Sequence, residues 1–510
     1  MARPAPSELE AWLAFEVDAA LDPGKPRDHR IGPWRFRSDH ADVRALRVGG
    51  REIVRRVSVT VRDPAWGEVP PRAWSSAVED TGSAWRLRLA AEYAAGPIDF
   101  AWRGVFEIES TTGSASLRVV GRAGSSFDVN RLGLAILHPA EELVGGALTT
   151  EGPSGTTRLD ATARLLPQRN VDGLLTGLTP PFHRIETQYA DGTCVRFALT
   201  GMAFEVEDQR NFGDSSFKTY GPPLAGGFPY PVAADAHIDL GVSWETDIAD
   251  DDRPAPVIRA RGLVPRVVLD GPGHDGRPGR VRLGDGRATP GDDVEVVLPV
   301  PDADLAALAD ARPGHVLVRE GDRALARREA VAGVRSAIAA AGSDAVVGTA
   351  IEAYLVEINR GEPVRLEGPV DVVVCPAVHG GDPLTLAENA PAVRDMLAFA
   401  AETLPGRDLS VTLTFRQGPE PDPATAALAG RWAAAVVASL TGGPADVVTL
   451  REDLARALPA AFLADLDAAR AAGDAEYECD VHALRHRLSW DGGRRQLVLD
   501  LGATTDQGES

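Results

Sequence analysis

The chain has 510 residues and a formal net charge of −21, with 44% hydrophobic and 25% charged residues. That length predicts two to four domains with sizeable cores, and the acidic balance works against nucleic-acid phosphates and anionic membranes. Three distant cysteines, Cys194, Cys375 and Cys479, give neither a zinc-ligand spacing nor a disulfide framework. A polar, acidic N-terminal stretch and the lack of any long apolar window predict no secretory signal and no membrane span. A cytoplasmic location is the resulting expectation.

Residues 1–250 read as an antiparallel β-sandwich domain. Short runs rich in β-branched and aromatic residues recur at Glu52–Val61, Trp85–Ala90, Phe100–Ile108, Ser116–Arg122, Leu132–His138, Val195–Leu199 and His237–Trp244. Turn signals separate them, the pattern of a wide two-sheet sandwich. Residues 251–292 are rich in Pro, Gly and Asp, which predicts a linker with at most one strand near Arg266–Leu269.

From 293 to 475 continuous apolar runs alternate with helical windows, the mark of a parallel sheet covered by helices. Strands are expected at Val294–Val300, His315–Val318, Asp344–Val347, Val370–Cys375, Leu409–Phe415 and Val447–Leu450. Helices are expected at Asp302–Arg312, Ala324–Ala341, Leu384–Thr403, Ala424–Leu440 and from Val447–Leu450 onward to Ala472. Six or seven such units in about 190 residues predict a shortened or incomplete TIM-like barrel, since a closed one needs eight units and about 250 residues. An open doubly wound sheet is the alternative. Residues 476–510 read as a β-rich C-terminal segment with a hairpin across Asp491-Gly492-Gly493.

One stretch calls for more than folding. Phe204–Tyr220, FEVEDQRNFGDSSFKTY, sets Asp208, Asn211 and Lys218 among aromatic anchors, and lysine occurs elsewhere only at Lys25. A compact ammonium in a chain that otherwise uses arginine answers a local demand. A strand and turn with a solvated charged face is the plainer alternative. Other polar groups gather just after predicted parallel strands: Glu357, Asn359 and Arg360 after Gly348-Thr349, His379 and Asp382 after VDVVVC, and Arg416 after LSVTLTF. Loops at that face bind ligands in barrels and open α/β sheets. A lone histidine such as His379 more often serves structure, and Glu357 could equally decorate a helix surface. No nucleophile elbow, HExxH helix or phosphate loop is present.

The run EDQRNFGDSSFKTY resembles the hallmark of the D-apionate lactonase family. Val61–Pro70 (VRDPAWGEVP), Asn130–Pro139 (NRLGLAILHP), Gly348–Pro363 (GTAIEAYLVEINRGEP) and Val372–Asp382 (VVVCPAVHGGD) are similar to further family segments, in the same order. The resemblance implies a sandwich, a TIM-like barrel and a small β-rich C-terminal part. It also implies hydrolysis of a sugar-acid lactone in apiose breakdown. Opening a lactone needs a base or a metal to activate water, and donors for the oxyanion. On this reading Glu357 or His379 is the base. Asn359, Arg360, Asp382, Arg416, Asp208, Asn211 and Lys218 contact a small carbohydrate-derived substrate. No cofactor or metal is called for, and no nucleic-acid or membrane partner.

The barrel departs from the family pattern: AVHGGD stands where QVHAFD is expected, and TLTFRQG at Thr412–Gly418 where a strand ending near TLRPRFN is expected. A glycosidase-like enzyme and a non-catalytic carbohydrate-binding homologue are the alternative readings.

Overall fold

Alternating apolar and polar residues build two antiparallel sheets in the first half of the chain. The computed structural model describes residues 26–501 apart from 81–84, 110–113, 172–173, 250–252, 272–278, 284–289, 291, 301–303, 306–307, 309–310, 322, 353–354, 361–364, 376–381 and 416–422. The chain divides into two compact units, one of Met1–Asp208 with Ser216–Pro254, the other of Gln209–Ser215 with Ala255–Ser510.

In the first unit a seven-stranded sheet faces a nine-stranded one. Their inner faces share one core, in which Phe36 of the first meets Phe106 of the second at 5.0 Å edge to face. This is the expected sandwich. Four neighbouring strands of the seven-stranded sheet matter below: Arg51–Arg62, Arg131–Pro139, Ser216–Tyr220 and Glu205–Asp208.

The second unit holds a closed barrel of eight parallel strands. They are β1 (Arg266–Asp270), β2 (Gly279–Arg282), β3 (Asp293–Leu298), β4 (His315–Glu320), β5 (Val346–Ile351), β6 (Val370–Val374), β7 (Leu409–Leu413) and β8 (Ala445–Leu450). Closure comes from β1, which pairs with β8 on one side and β2 on the other. The barrel is therefore complete, and both the incomplete barrel and the open sheet are corrected. The stretch read as a linker contributes β1 and β2, five and four residues long. It also supplies Val257–Gly262, which pairs antiparallel with Ala475–Asp480 in a four-stranded sheet. The expected C-terminal hairpin, Arg485–Trp490 with Arg495–Asp500, completes that sheet.

Proline breaks two of the expected helices, because it has no N–H to donate within a helix. Leu384–Thr403 becomes Pro383–Asn389 and Ala392–Thr403, parted at Pro391. The last window becomes Glu452–Ala457 and Ala460–Ala472, parted at Pro459. Most of the expected Asp302–Arg312 helix lies outside the described residues. Among the described residues no helix is long and apolar enough to cross a membrane.

Candidate functional site in the barrel mouth

Strand alternation decides which side chains enter the barrel. Val294 and Val296 of β3 and Val316 and Val318 of β4 pack outward with Leu305, Leu308, Val331 and Val334. Their neighbours Asp293, Glu295, His315 and Arg319 therefore face inward. A barrel interior is normally layered with branched apolar residues. Here it carries two charged layers.

The lower layer sits at the N-terminal ends of the strands. Arg280 of β2 pairs with Asp371 of β6 at 2.9 Å, with both side chains almost wholly buried. Ser410 and Thr412 of β7 donate to the same carboxylate at 2.5 and 2.7 Å, and Arg280 also donates to Thr412. Burial works to raise the Asp371 pKa, but Arg280 and the two hydroxyls overcome it and hold the group below the ordinary aspartate range. Beside them His315 shares a 3.1 Å contact with Asp293, which raises the imidazole above its usual value. This layer is fully satisfied on the carboxylate side and braces the barrel.

The upper layer sits at the C-terminal mouth. Glu295, 2% exposed, pairs with Arg319 at 2.6 Å and Arg451 at 2.7 Å, with Arg282 at 3.7 Å. Arg319 reaches on to Glu352 at 2.5 Å. Burial opposes ionisation of Glu295, yet the arginines keep its pKa below the glutamate range. Asp270, the last residue of β1, behaves oppositely. Burial, aided by the charge of Glu295, pushes its pKa up against the pull of Arg451 and Arg282. It has no ion-pair partner among the described residues. Two carboxylates whose surroundings drive them apart, one locked as an anion and one ready to take a proton, form an acid–base arrangement. Arg282 keeps 44% of its side chain exposed, so it can still meet a ligand.

The described residues among those singled out in the sequence are not part of this charged cluster. Glu357 and Arg360 pair at 2.7 Å around the short turn Val356–Ile358. Glu357 lines a groove of about 590 Å³ together with Thr349, Arg323, Arg328 and Arg365. Thr349 shares its strand face with Val347, which packs with Val331 and Val334 of the helix Arg328–Ala340. The groove thus opens on the helix side of the barrel wall. Asn359 is buried and donates to Asn211 Oδ1 at 2.7 Å. Asp382 caps the helix Pro383–Asn389, accepting from the Thr385 amide and hydroxyl at 3.0 and 2.5 Å.

In the first unit Asp208 accepts from the Leu166 amide at 2.9 Å. Lys218 pairs with Glu207 at 3.2 Å and lies over the Tyr220 ring. His379 and Arg416 lie outside the described residues. Asn211 with Asn359, and Glu357 with Arg360, are the expected residues that contact one another; Asp208, Lys218 and Asp382 are each held by other partners.

None of the mouth residues was singled out from the sequence. The signal was there in the strand VEVVLP, where Glu295 interrupts an apolar run at an inward position, and in HVLVRE, where Arg319 does the same. Among the described residues no three His, Cys, Asp or Glu side chains converge as metal ligands.

Residues 16–247 match the family described as D-apionate lactonase, N-terminal domain. The first unit is thus similar to the D-apionate lactonase N-terminal domain. A D-apionate lactonase from Brucella anthropi is 30% identical over 213 residues, which are 41% of this chain and 33% of that protein. The chain therefore aligns with about a third of that lactonase's length. Among solved structures, the GH36 alpha-galactosidase AgaB from Geobacillus stearothermophilus covers 93% of this chain and 91% of its own at 9% identity and a TM-score of 0.30. A putative aldose 1-epimerase from Escherichia coli K12 covers 44% and 99%, at 11% identity and a TM-score of 0.27. Likenesses this faint carry no argument about function. The lactonase resemblance read in the sequence is borne out for the first unit.

Proposed function

We propose that this protein is a hydrolase that opens a sugar-acid lactone, with the barrel mouth as its active site. The match of the first unit to the D-apionate lactonase N-terminal domain supports the substrate class. The observation that carries the mechanism is Asp270, at the end of β1 and without an ion-pair partner among the described residues, beside an arginine cluster anchored on Glu295.

In this reading Asp270 takes a proton from water as the water attacks the lactone carbonyl. Arg282 and Arg451 donate to the oxygen that becomes negative, so their hydrogen bonds strengthen as the tetrahedral intermediate forms. The ring C–O bond then breaks, and the proton held by Asp270 passes to the leaving alkoxide. Glu295 and Arg319 orient the donors and do not react. Glu357, tied to Arg360, would serve the same chemistry only from the helix side of the wall. A retaining or inverting glycosidase needs two working carboxylates. Among the described residues of the mouth, Glu295 and Glu352 are both committed to arginines, which leaves Asp270 as the working carboxylate there and favours the lactonase reading.

The test is proton release by the purified protein on a panel of aldonolactones that includes apionolactone. Lactone opening above the buffer rate, lost in Asp270→Asn with the fold intact by circular dichroism, is the expected result. A panel in which no lactone opens faster than in buffer overturns the proposal.

A further inference from the structure

The first unit carries a charged cluster that the hydrolase reading does not use. It lies on the outer face of the seven-stranded sheet, where three stretches noted in the sequence come together. These are Val61–Pro70, Asn130–Pro139 and Phe204–Tyr220.

Arg131 stands directly opposite Arg62 across the strand pair. Like charges placed opposite one another destabilise a sheet, and here both residues are buried, at 8% and 9% exposure. Arg131 donates to the Pro222 carbonyl at 3.0 Å and lies over the Tyr220 ring at 4.4 Å. It has no carboxylate within ion-pair distance among the described residues. Glu205 is one nearby acid, but it already accepts from the Tyr220 hydroxyl and the Leu224 amide at 2.6 Å each, and from the Gly177 amide at 2.9 Å, while Glu207 pairs with Lys218. A buried cation left in this state calls for an anion from outside.

The wall beside Arg131 is built to hold a sugar. Trp66 is 41% exposed, and its centroid lies 5.4 Å from the Arg131 guanidinium. Its backbone is left-handed, with φ 67°, an uncommon and costly conformation for so bulky a residue. The turn is locked to keep it so. Asp63 Oδ1 accepts from the Ala65 and Gly67 amides at 2.9 and 2.7 Å, and Asn130 Nδ2 ties the Pro64 carbonyl to the next strand at 3.1 Å. The ring also meets Phe228 edge to face at 4.9 Å. A strained, braced turn thus holds an indole partly in solvent beside a guanidinium that has no carboxylate partner among the described residues.

We infer that this face binds a small polyhydroxy carboxylate. Arg131 takes the carboxylate, Trp66 stacks on the C–H face of the carbon chain, and Lys218 with Glu207 supplies a donor and an acceptor for hydroxyls. Glu205 and Glu207 nearby disfavour a phosphate dianion, which restricts the site to monoanions. The inference goes beyond the hydrolase reading and does not depend on it, because its residues all belong to the first unit.

Calorimetric titration of the full chain with sodium ribonate and sodium gluconate tests it, with sorbitol and sodium phosphate as controls. Saturable binding of an aldonate is expected, weaker by about tenfold or more in Trp66→Ala and in Arg131→Met, and unchanged in Asp270→Asn. Trp66→Ala carries the test if Arg131→Met does not fold, since the indole is exposed. No saturable aldonate binding, equal binding of sorbitol or phosphate, or unaltered affinity in Trp66→Ala overturns the inference. Loss of binding in Asp270→Asn does the same, since it moves the aldonate to the barrel mouth.

Discussion

Asn359 donates its side-chain amide to Asn211 Oδ1 at 2.7 Å, and both residues are buried. Asn211 belongs to the turn Gln209–Ser215, which is part of the second unit although the strands on either side of it belong to the first. In the same turn Gly213 lies so that an added Cβ would sit 3.6 Å from Met396 Sδ and Val374 Cγ1. The signature stretch thus lends its turn to the barrel unit. Replacing either asparagine with alanine removes this buried bond, at a cost of about 1–3 kcal/mol. Urea denaturation of both single variants and the double variant checks this. A double variant less destabilised than the sum of the two single ones is expected, since both changes remove the bond they share.

In the proposed reaction Asp270 sets the acid side of the activity profile. A general base works deprotonated, and the folded pKa of Asp270 is raised, so activity falls with decreasing pH at a midpoint above the ordinary aspartate value of about 4. Arg282 pulls that pKa down, so Arg282→Met moves the midpoint to higher pH. Asp270→Asn lowers the rate about a hundredfold or more and abolishes that limb. Initial rates of lactone opening across the acid range measure both effects.

The Arg280–Asp371 pair belongs to stability. Removing one partner alone strands a buried charge, so Asp371→Asn and Arg280→Met each cost about 3–5 kcal/mol. Asp371 has a folded pKa below its unfolded one, so its contribution is present above about pH 4 and is lost as pH falls through the folded value. Denaturation midpoints from neutral to acid pH should converge for wild type and Asp371→Asn, whereas at neutral pH they stand apart.

Gly348, in β5, has no room for a side chain. A Cβ there would lie 1.9 Å from the Pro369 carbonyl oxygen. Gly348→Ala therefore forces the backbone of the β5–β6 connection to move, which costs more than about 2 kcal/mol or prevents folding. Thermal melting of Gly348→Ala beside Gly333→Ala, a site with open space around it, separates steric cost from helix propensity.

The sandwich was legible where a strand has one wet face and one dry face, so that alternation shows, as in Ile98–Glu109. The barrel was legible only where its strands are apolar. In β2 the inward Arg280 stands beside Gly279 in a run of four residues among prolines and glycines, which reads as linker. The same inward charges hid the mouth. Arg282, Glu295, Arg319 and Arg451 look like solvated decoration until closure turns them toward one another. Lys218, which stands out in the sequence by its rarity, pairs with Glu207 in its own sheet.

The four-stranded sheet joins the start of the barrel unit to its end: Arg259 meets Glu478 across 219 residues of sequence. A ribosome making this chain releases Val257–Gly262 long before its partner strand exists. That edge must wait, unpaired, while all eight barrel strands are synthesised. The barrel unit therefore has a late folding checkpoint, and slow synthesis of the last segment exposes a strand ready to pair with a neighbouring nascent chain.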